Sequence, residues 1–378
     1  MFWKYKIFLR VVTLKGTALL LFSLVAASLF SCTKEDNVDS TGEEMQDKVP
    51  IEWNIYTIDN NDNQPQTRAL LEDYTDLRNL CTATESAPAE KIGLFGTYEL
   101  EGSEVTVFDN ADLWWWEKEN GNPFNDVIGD KSHWNYDGEE RYWVDGATYS
   151  FRAYFPKSKV TLEPGSGSHN LLAVYDTQLS QYDLLVASKS LLAGSENPVL
   201  LQFEHALAAI RFTFKFADED VTDNLTACWL ENVKEDGFYT SSTINFAGSV
   251  LWPKSTANPV GSQMYYWYPS DPLQITGQSS VTAYSTPATV VNGSQYTHNN
   301  GWLLVIPQKC PGPETLQLCF RTSTGADVVY RVGLPAVELL SGNRYTFNVK
   351  ISSTEIELKL KIADWNERDS SYEIDFNN

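Results

Sequence analysis

Residues 344–351, Arg344-Tyr345-Thr346-Phe347-Asn348-Val349-Lys350-Ile351, decide the fold class. Tyr345, Phe347, Val349 and Ile351 alternate with Arg344, Thr346, Asn348 and Lys350. That is the period of a strand with one face in a core and the other in water. Downstream, Ile356, Leu358, Leu360 and Ile362 alternate with Glu357, Lys359 and Lys361. Upstream, Ile210, Phe212, Phe214 and Phe216 alternate with Arg211, Thr213 and Lys215. Tyr149, Phe151, Ala153 and Phe155 repeat the pattern before Pro156. Clusters of Gly, Pro, Asn and Ser punctuate the runs as turns: Pro164 to Ser168, Gly194 to Pro198, Ser341 to Asn343. Residues 200–209 read briefly as helix, but the alternation that follows favours a strand. The expectation is an all-β chain made of β-sandwiches. Gly194-Ser195-Glu196-Asn197-Pro198 is the best internal break. It divides the body into 49–198 and 199–378, each of ordinary domain size.

The chain has 378 residues, 42% of them hydrophobic, which suffices for a sizeable core. Its 28 Lys+Arg and 50 Asp+Glu give a net charge of −22. Lys4, Lys6, Arg10 and Lys15 stand in the first 31 residues, which hold no acid. The remainder therefore sets 24 cations against 50 acids, a net of −26. A surface so acidic repels phosphate backbones and anionic bilayers, which argues against nucleic acid and membrane headgroups as ligands. Four His and five Cys leave little for a metal enzyme. No nucleophile elbow, HExxH or P-loop occurs, so neither catalysis nor a cofactor is expected.

The N-terminus reads as a targeting segment. Basic residues precede the uncharged run Gly16 to Phe30, which is of signal-peptide length and short for a membrane span. It ends in Leu29-Phe30-Ser31-Cys32, which resembles a bacterial lipobox with Cys32 as the lipidated residue. Residues 1–31 would be removed, and 32–48, polar and acidic, would form a flexible tether at a membrane surface. Lys34-Glu35-Asp36 resembles the export signal of surface lipoproteins in Bacteroidetes.

Six segments carry a family resemblance. They are Tyr142 to Pro156 (YWVDGATYSFRAYFP), Tyr182 to Ala187 (YDLLVA), Phe203 to Ile210 (FEHALAAI), Leu303 to Gln308 (LLVIPQ), Ser341 to Phe347 (SGNRYTF) and Ile362 to Trp365 (IADW). In this order, behind a lipobox, they resemble the Bacteroidales fimbrillins. The resemblance implies two transthyretin-like β-sandwiches in tandem, export as an outer-membrane lipoprotein, and assembly with other subunits into a surface fimbria. It further implies that a trypsin-like protease cuts after an Arg and removes the first strand, and that the vacated groove takes a strand from a neighbouring subunit.

The corresponding parts can be placed. Val49, Ile51, Trp53 and Ile55 alternate over 49–58 and suit a first strand that plugs a sandwich. Residues 59–69 read as an exposed loop ending in Thr67-Arg68-Ala69, which resembles the family's processing site; Arg78 is a second candidate. At the C-terminus, Tyr372, Ile374 and Phe376 alternate with acids in 370–376. With no obvious partner in its own chain, this segment is the candidate donor strand; the alternative is that it closes its own sandwich.

Other residues invite weaker readings. Trp114, Trp115 and Trp116, with Trp134 and Trp143, could form a glycan platform, or could serve core and edge packing. Three consecutive side chains cannot share one face of a strand. Cys310 and Cys319 flank a turn at Pro311 to Thr315 and could be a disulfide or two separate thiols. Cys81 and Cys228 read as unpaired. The acid clusters 59–62 and 137–140 lack the ligand spacing of a calcium loop. His205 reads as a packed structural residue, and Trp365 as a core plug.

Overall fold

The alternating runs become strands of sheets that bury their apolar faces. The computed structural model describes residues 48–57, 74–83, 88, 90–117, 132–285, 301–324, 328–365 and 371–375. Ala208–Phe216 pairs in parallel with Asn343–Ile351, which pairs antiparallel with Ile356–Asp364. Facing this sheet is a second, in which Thr222–Asn232 lies between Gln263–Trp267 and Leu316–Thr322, with Tyr330–Gly333 outermost. Phe212, Phe214, Tyr345, Phe347 and Leu360 of the first sheet meet Cys228, Leu230, Leu318 and Phe320 of the second in one core. Each large apolar side chain so buried contributes about 1.5–3 kcal/mol.

The other large element is an eight-stranded sheet. Its order is Trp53–Thr57, Val199–His205, Leu185–Leu192, Thr148–Phe155, Ile92–Leu100, Ser103–Trp116 and Thr82–Ala83, with His133–Tyr136 paired to Ser103–Trp116. Alternation gives this sheet two buried faces. Leu94, Ala153 and Leu185 point into the core that holds Ile51, Trp53 and Ile55. Phe95, Tyr154 and Val186 point into a separate core with Ala173, Ile244 and Phe246. Those last three belong to a four-stranded sheet in which Leu171–Asp176 pairs with Ser241–Phe246.

These pairings correct the expected division at 198/199. Val199–His205 belongs to the eight-stranded sheet, and the chain enters the sandwich only at Ala208. Ser241–Phe246 crosses back to pair with the earlier half, so residues 47–378 form one compact unit. The break at Gly194 to Pro198 is a turn within a sheet. Turn residues mark any reversal of the chain, whether or not a domain ends there.

Where strands of different sheets meet, side-chain amides stand in for backbone. Leu304 N donates to Gln181 Oε1 at 2.8 Å, and Gln181 Nε2 donates to Leu304 O at 3.0 Å. Gln308 does the same for Tyr239, at 3.1 Å and 2.7 Å. Buried backbone groups left without partners would be costly.

Among the described residues one α-helix, Tyr74–Cys81, interrupts the β pattern. Leu77 and Cys81 bury beneath it, and eight residues are too few to leave a readable helical stripe.

Asp223, at the start of Thr222–Asn232, links that strand to the end of Leu316–Thr322. Burial pushes its carboxyl up, but hydrogen bonds from Ser323, Thr322 and the Asn224 and Thr324 amides outweigh this and bring it down to about 2. Its stabilisation is therefore complete above the ordinary carboxylate range and is lost as pH falls toward about 2. Asp223→Asn is expected to lower stability at neutral pH and to flatten the acid limb of a denaturation curve, measured by urea unfolding across that range.

Candidate functional site

The seat of the first strand is built from both sides. Ile51 N donates to Arg141 O at 2.8 Å, and Trp143 N donates to Val49 O at 3.0 Å. On the other side Val199 N donates to Glu52 O at 2.7 Å, and the Asn197 side chain bridges Glu52 N and Pro50 O. Beyond this lead-in, Trp53–Thr57 runs parallel to Val199–His205, with Trp53 opposite Val199 and Ile55 opposite Leu201. Ile51, Trp53 and Ile55 are buried, whereas Val49 is exposed. The Trp53 ring meets Phe151 edge-on at 4.9 Å and Phe108 at 5.6 Å. Removing this segment would open a groove floored by aromatic rings.

The expected processing residues Arg68 and Ala69, the lipidation residue Cys32 and Phe376 lie outside the described residues. Arg78 sits in the helix, its guanidinium 5.5 Å from the Trp115 ring. A helical residue does not fit the extended site of a protease.

The C-terminal segment has a partner in its own chain, which corrects the expectation that it has none. Ser371–Asp375 pairs antiparallel with Ile356–Asp364, placing Tyr372 opposite Ile362 and Ile374 opposite Leu360. The pairing satisfies a sheet edge that would otherwise be open.

Just before this segment stands an alternating stack of rings and charges. Asp183 Oδ2 lies 2.9 Å from His205 Nδ1, both residues being buried. The His205 ring lies flat on Trp365, with centroids 4.1 Å apart and planes 9° apart. The Arg344 guanidinium is 5.0 Å from the Trp365 ring and 5.6 Å from Trp302, and Arg211 is 4.3 Å from Trp302. Each cation–ring contact is worth about 0.5–2 kcal/mol. Sequence reasoning placed His205 and Trp365 in cores separately. Their contact had no signal, because the two residues are far apart in the chain.

The Trp triplet does not form a platform. Trp116 is buried, and Trp114 and Trp115 are half-buried. Trp115 meets Trp134 edge-on at 5.7 Å, Trp114 lies 5.8 Å from Lys91 Nζ, and Trp116 packs on His133. The disulfide reading is also corrected: Cys310 and Cys319 are free. Cys310 packs between the sandwich sheets with Leu316 and Leu318, while Cys319 turns to the opposite face with Ala227 and Trp229. Burial, acting first, pushes both thiols up to about 12.

A profile of the Fimbrillin-like family matches residues 83–365. The chain belongs to the fimbrillin-like family. Among solved structures, this fimbrillin-like chain is similar to a fimbrial protein from Bacteroides vulgatus ATCC 8482, at 15% identity and a TM-score of 0.54. The match covers 84% of this chain and 99% of that one. It is also similar to a protein from Bacteroides uniformis ATCC 8492 assigned to cell adhesion, at 15% identity, a TM-score of 0.48, and coverage of 85% and 100%. No curated protein sequence matches the chain.

Two substitutions test this site. Trp53→Ala is expected to cost about 3–5 kcal/mol in chemical denaturation, because the first strand closes a core. His205→Leu is expected to cost roughly 3–5 kcal/mol by leaving Asp183 buried beside an apolar residue. His205→Leu combined with Asp183→Leu should recover much of that loss, read from a double-mutant cycle.

Proposed function

We propose that the chain is a structural and adhesive subunit of a surface fimbria. It is lipidated at Cys32, held at the outer membrane by the 32–48 tether, and joined to other subunits by strand exchange. A trypsin-like protease cuts after Arg68 and releases the first strand. The vacated seat beside Val199–His205 then takes segment 370–376 of another subunit.

The observation that carries this reading is the seat itself. Ile51, Trp53 and Ile55 plug an aromatic core from a segment at the end of a sheet. Their loss exposes side chains worth about 1.5–3 kcal/mol each, a large share of a stability near 5–15 kcal/mol. An incoming strand with apolar residues at period two restores that burial, and Tyr372, Ile374 and Phe376 have the period. Trp116 is buried and Trp114 and Trp115 are half-buried against different partners, which argues against the rival reading, a glycan-binding surface lipoprotein.

Limited trypsin treatment of the chain beginning at residue 33 tests the proposal. Mass spectrometry is expected to locate one early cut after Arg68, and size exclusion to show growth into heat-resistant high-mass species. A protected Arg68 with an intact monomer would sink the exchanging-subunit reading and favour an uncut anchor.

A further inference from the structure

One sheet face reverses the charge of the rest of the chain. On the outward side of the sandwich, register sets Arg211, Lys215, Arg344, Lys350, Lys359 and Lys361 across Ala208–Phe216, Asn343–Ile351 and Ile356–Asp364. Glu357 is the one acid at the outward positions of these three strands. The C-terminal strand adds Glu373 opposite Lys361 and Asp375 opposite Lys359. With Lys350 set against Glu357, Lys361 opposite Glu373 and Lys359 opposite Asp375, the positive surplus lies on Arg211, Lys215 and Arg344, of which Arg211 and Arg344 are half-buried against Trp302. Lys215 stands directly opposite Lys350, and like charges so placed destabilise a sheet. Lys350 reaches Glu357 at 3.6 Å, whereas Lys215 and Arg211 form no ion pair among the described residues.

The complementary pattern stands on the hairpin that joins Ile92–Leu100 to Ser103–Trp116. Glu99 is directly opposite Glu104, and Glu101 is in the turn between them. Residues 99 and 101–106 are exposed. His169 lies beside Glu104, while Glu99 and Glu101 form no ion pair among the described residues. Each like-charge pair costs stability within one molecule, and each is what the other needs across an interface.

We propose that the cationic face of the sandwich receives the acidic 99–104 hairpin of a second copy of the chain. Beyond its signal the chain carries −26, so two copies repel unless surfaces of opposite sign meet. The cationic face cannot meet itself, which rules out an isologous pairing of that face. The contact joins two different patches, so it closes reciprocally in a two-fold dimer or runs head to tail into lines or rings. The fibre-subunit reading supplies its biological setting, and the contact is distinct from strand exchange.

Sedimentation velocity on the uncut chain beginning at residue 33, at about 0.02 M and about 0.5 M NaCl, tests this, since screening lengths fall several-fold between them. Self-association is expected at low salt and lost at high salt. Lys215→Glu with Lys350→Glu, and separately Glu99→Lys with Glu104→Lys, should each weaken it by about tenfold or more. Mixing the two variants should restore it. Unchanged melting temperatures would establish that both variants fold. A wild-type monomer at low salt, association indifferent to both reversals, or a mixture that stays monomeric would each overturn the proposal. Strand exchange is assayed on the cut chain at high salt, so either idea can fail without the other.

Discussion

The contact between His205 and Asp183 sits where the chain leaves one sheet for another, and much of the structure is hung from it. His205 ends a strand of the eight-stranded sheet, and Ala208 begins a strand of the sandwich. Between them, Ala206 N donates to Leu184 O at 2.8 Å, and Gly342 N donates to Leu207 O at 2.9 Å. Trp365 N donates to Gly342 O at 2.6 Å while its ring covers His205. An imidazole and a carboxylate are costly to bury, and their pairing and the ring above make burial tolerable. The crossover is thereby held by side chains from several distant segments.

Five of the six family-like segments meet at or beside this crossover. YDLLVA supplies Asp183 and Leu184, FEHALAAI supplies His205 to Leu207, SGNRYTF supplies Gly342 and Arg344, and IADW supplies Trp365. LLVIPQ adds Leu304, opposite Ala209, and Gln308, which pairs with the Tyr239 backbone. Segments scattered over the sequence meet at one junction. The first and last strands, Trp53–Thr57 and Ser371–Asp375, each lie at the end of a sheet beside this knot. An element at a sheet end can leave without dismantling the strands behind it.

Charge is arranged on the same principle of separation. The sandwich buries its apolar residues inward and turns a lysine- and arginine-rich face outward, in a chain that is otherwise strongly acidic. Thr213 and Asn348, joined at 2.7 Å, and Arg211 bonded to Thr346 at 3.0 Å tie that face together laterally. Thr213 and Thr346 are themselves buried, so these bonds tie the strands together beneath the charged side chains.

Period-two alternation in this sequence determined the all-β class, and it determined which side chains enter a core: Phe212, Phe214, Tyr345, Phe347 and Leu360 are buried as the pattern requires. It also runs through segments that resemble the family, such as FEHALAAI and SGNRYTF. Alternation names a face and not a neighbour, because any strand of matching period can satisfy the same hydrogen-bonding edge. Only the tertiary structure decided that Ala208–Phe216 lies parallel to Asn343–Ile351, that Ser241–Phe246 crosses back to Leu171–Asp176, and that Ser371–Asp375 covers Ile356–Asp364. The same limit hid the separation of Cys310 from Cys319, whose short spacing suggested a bridge while the packing set them in different cores. Long-range register, set by how whole faces pack, is a property of the folded chain and has no local signature.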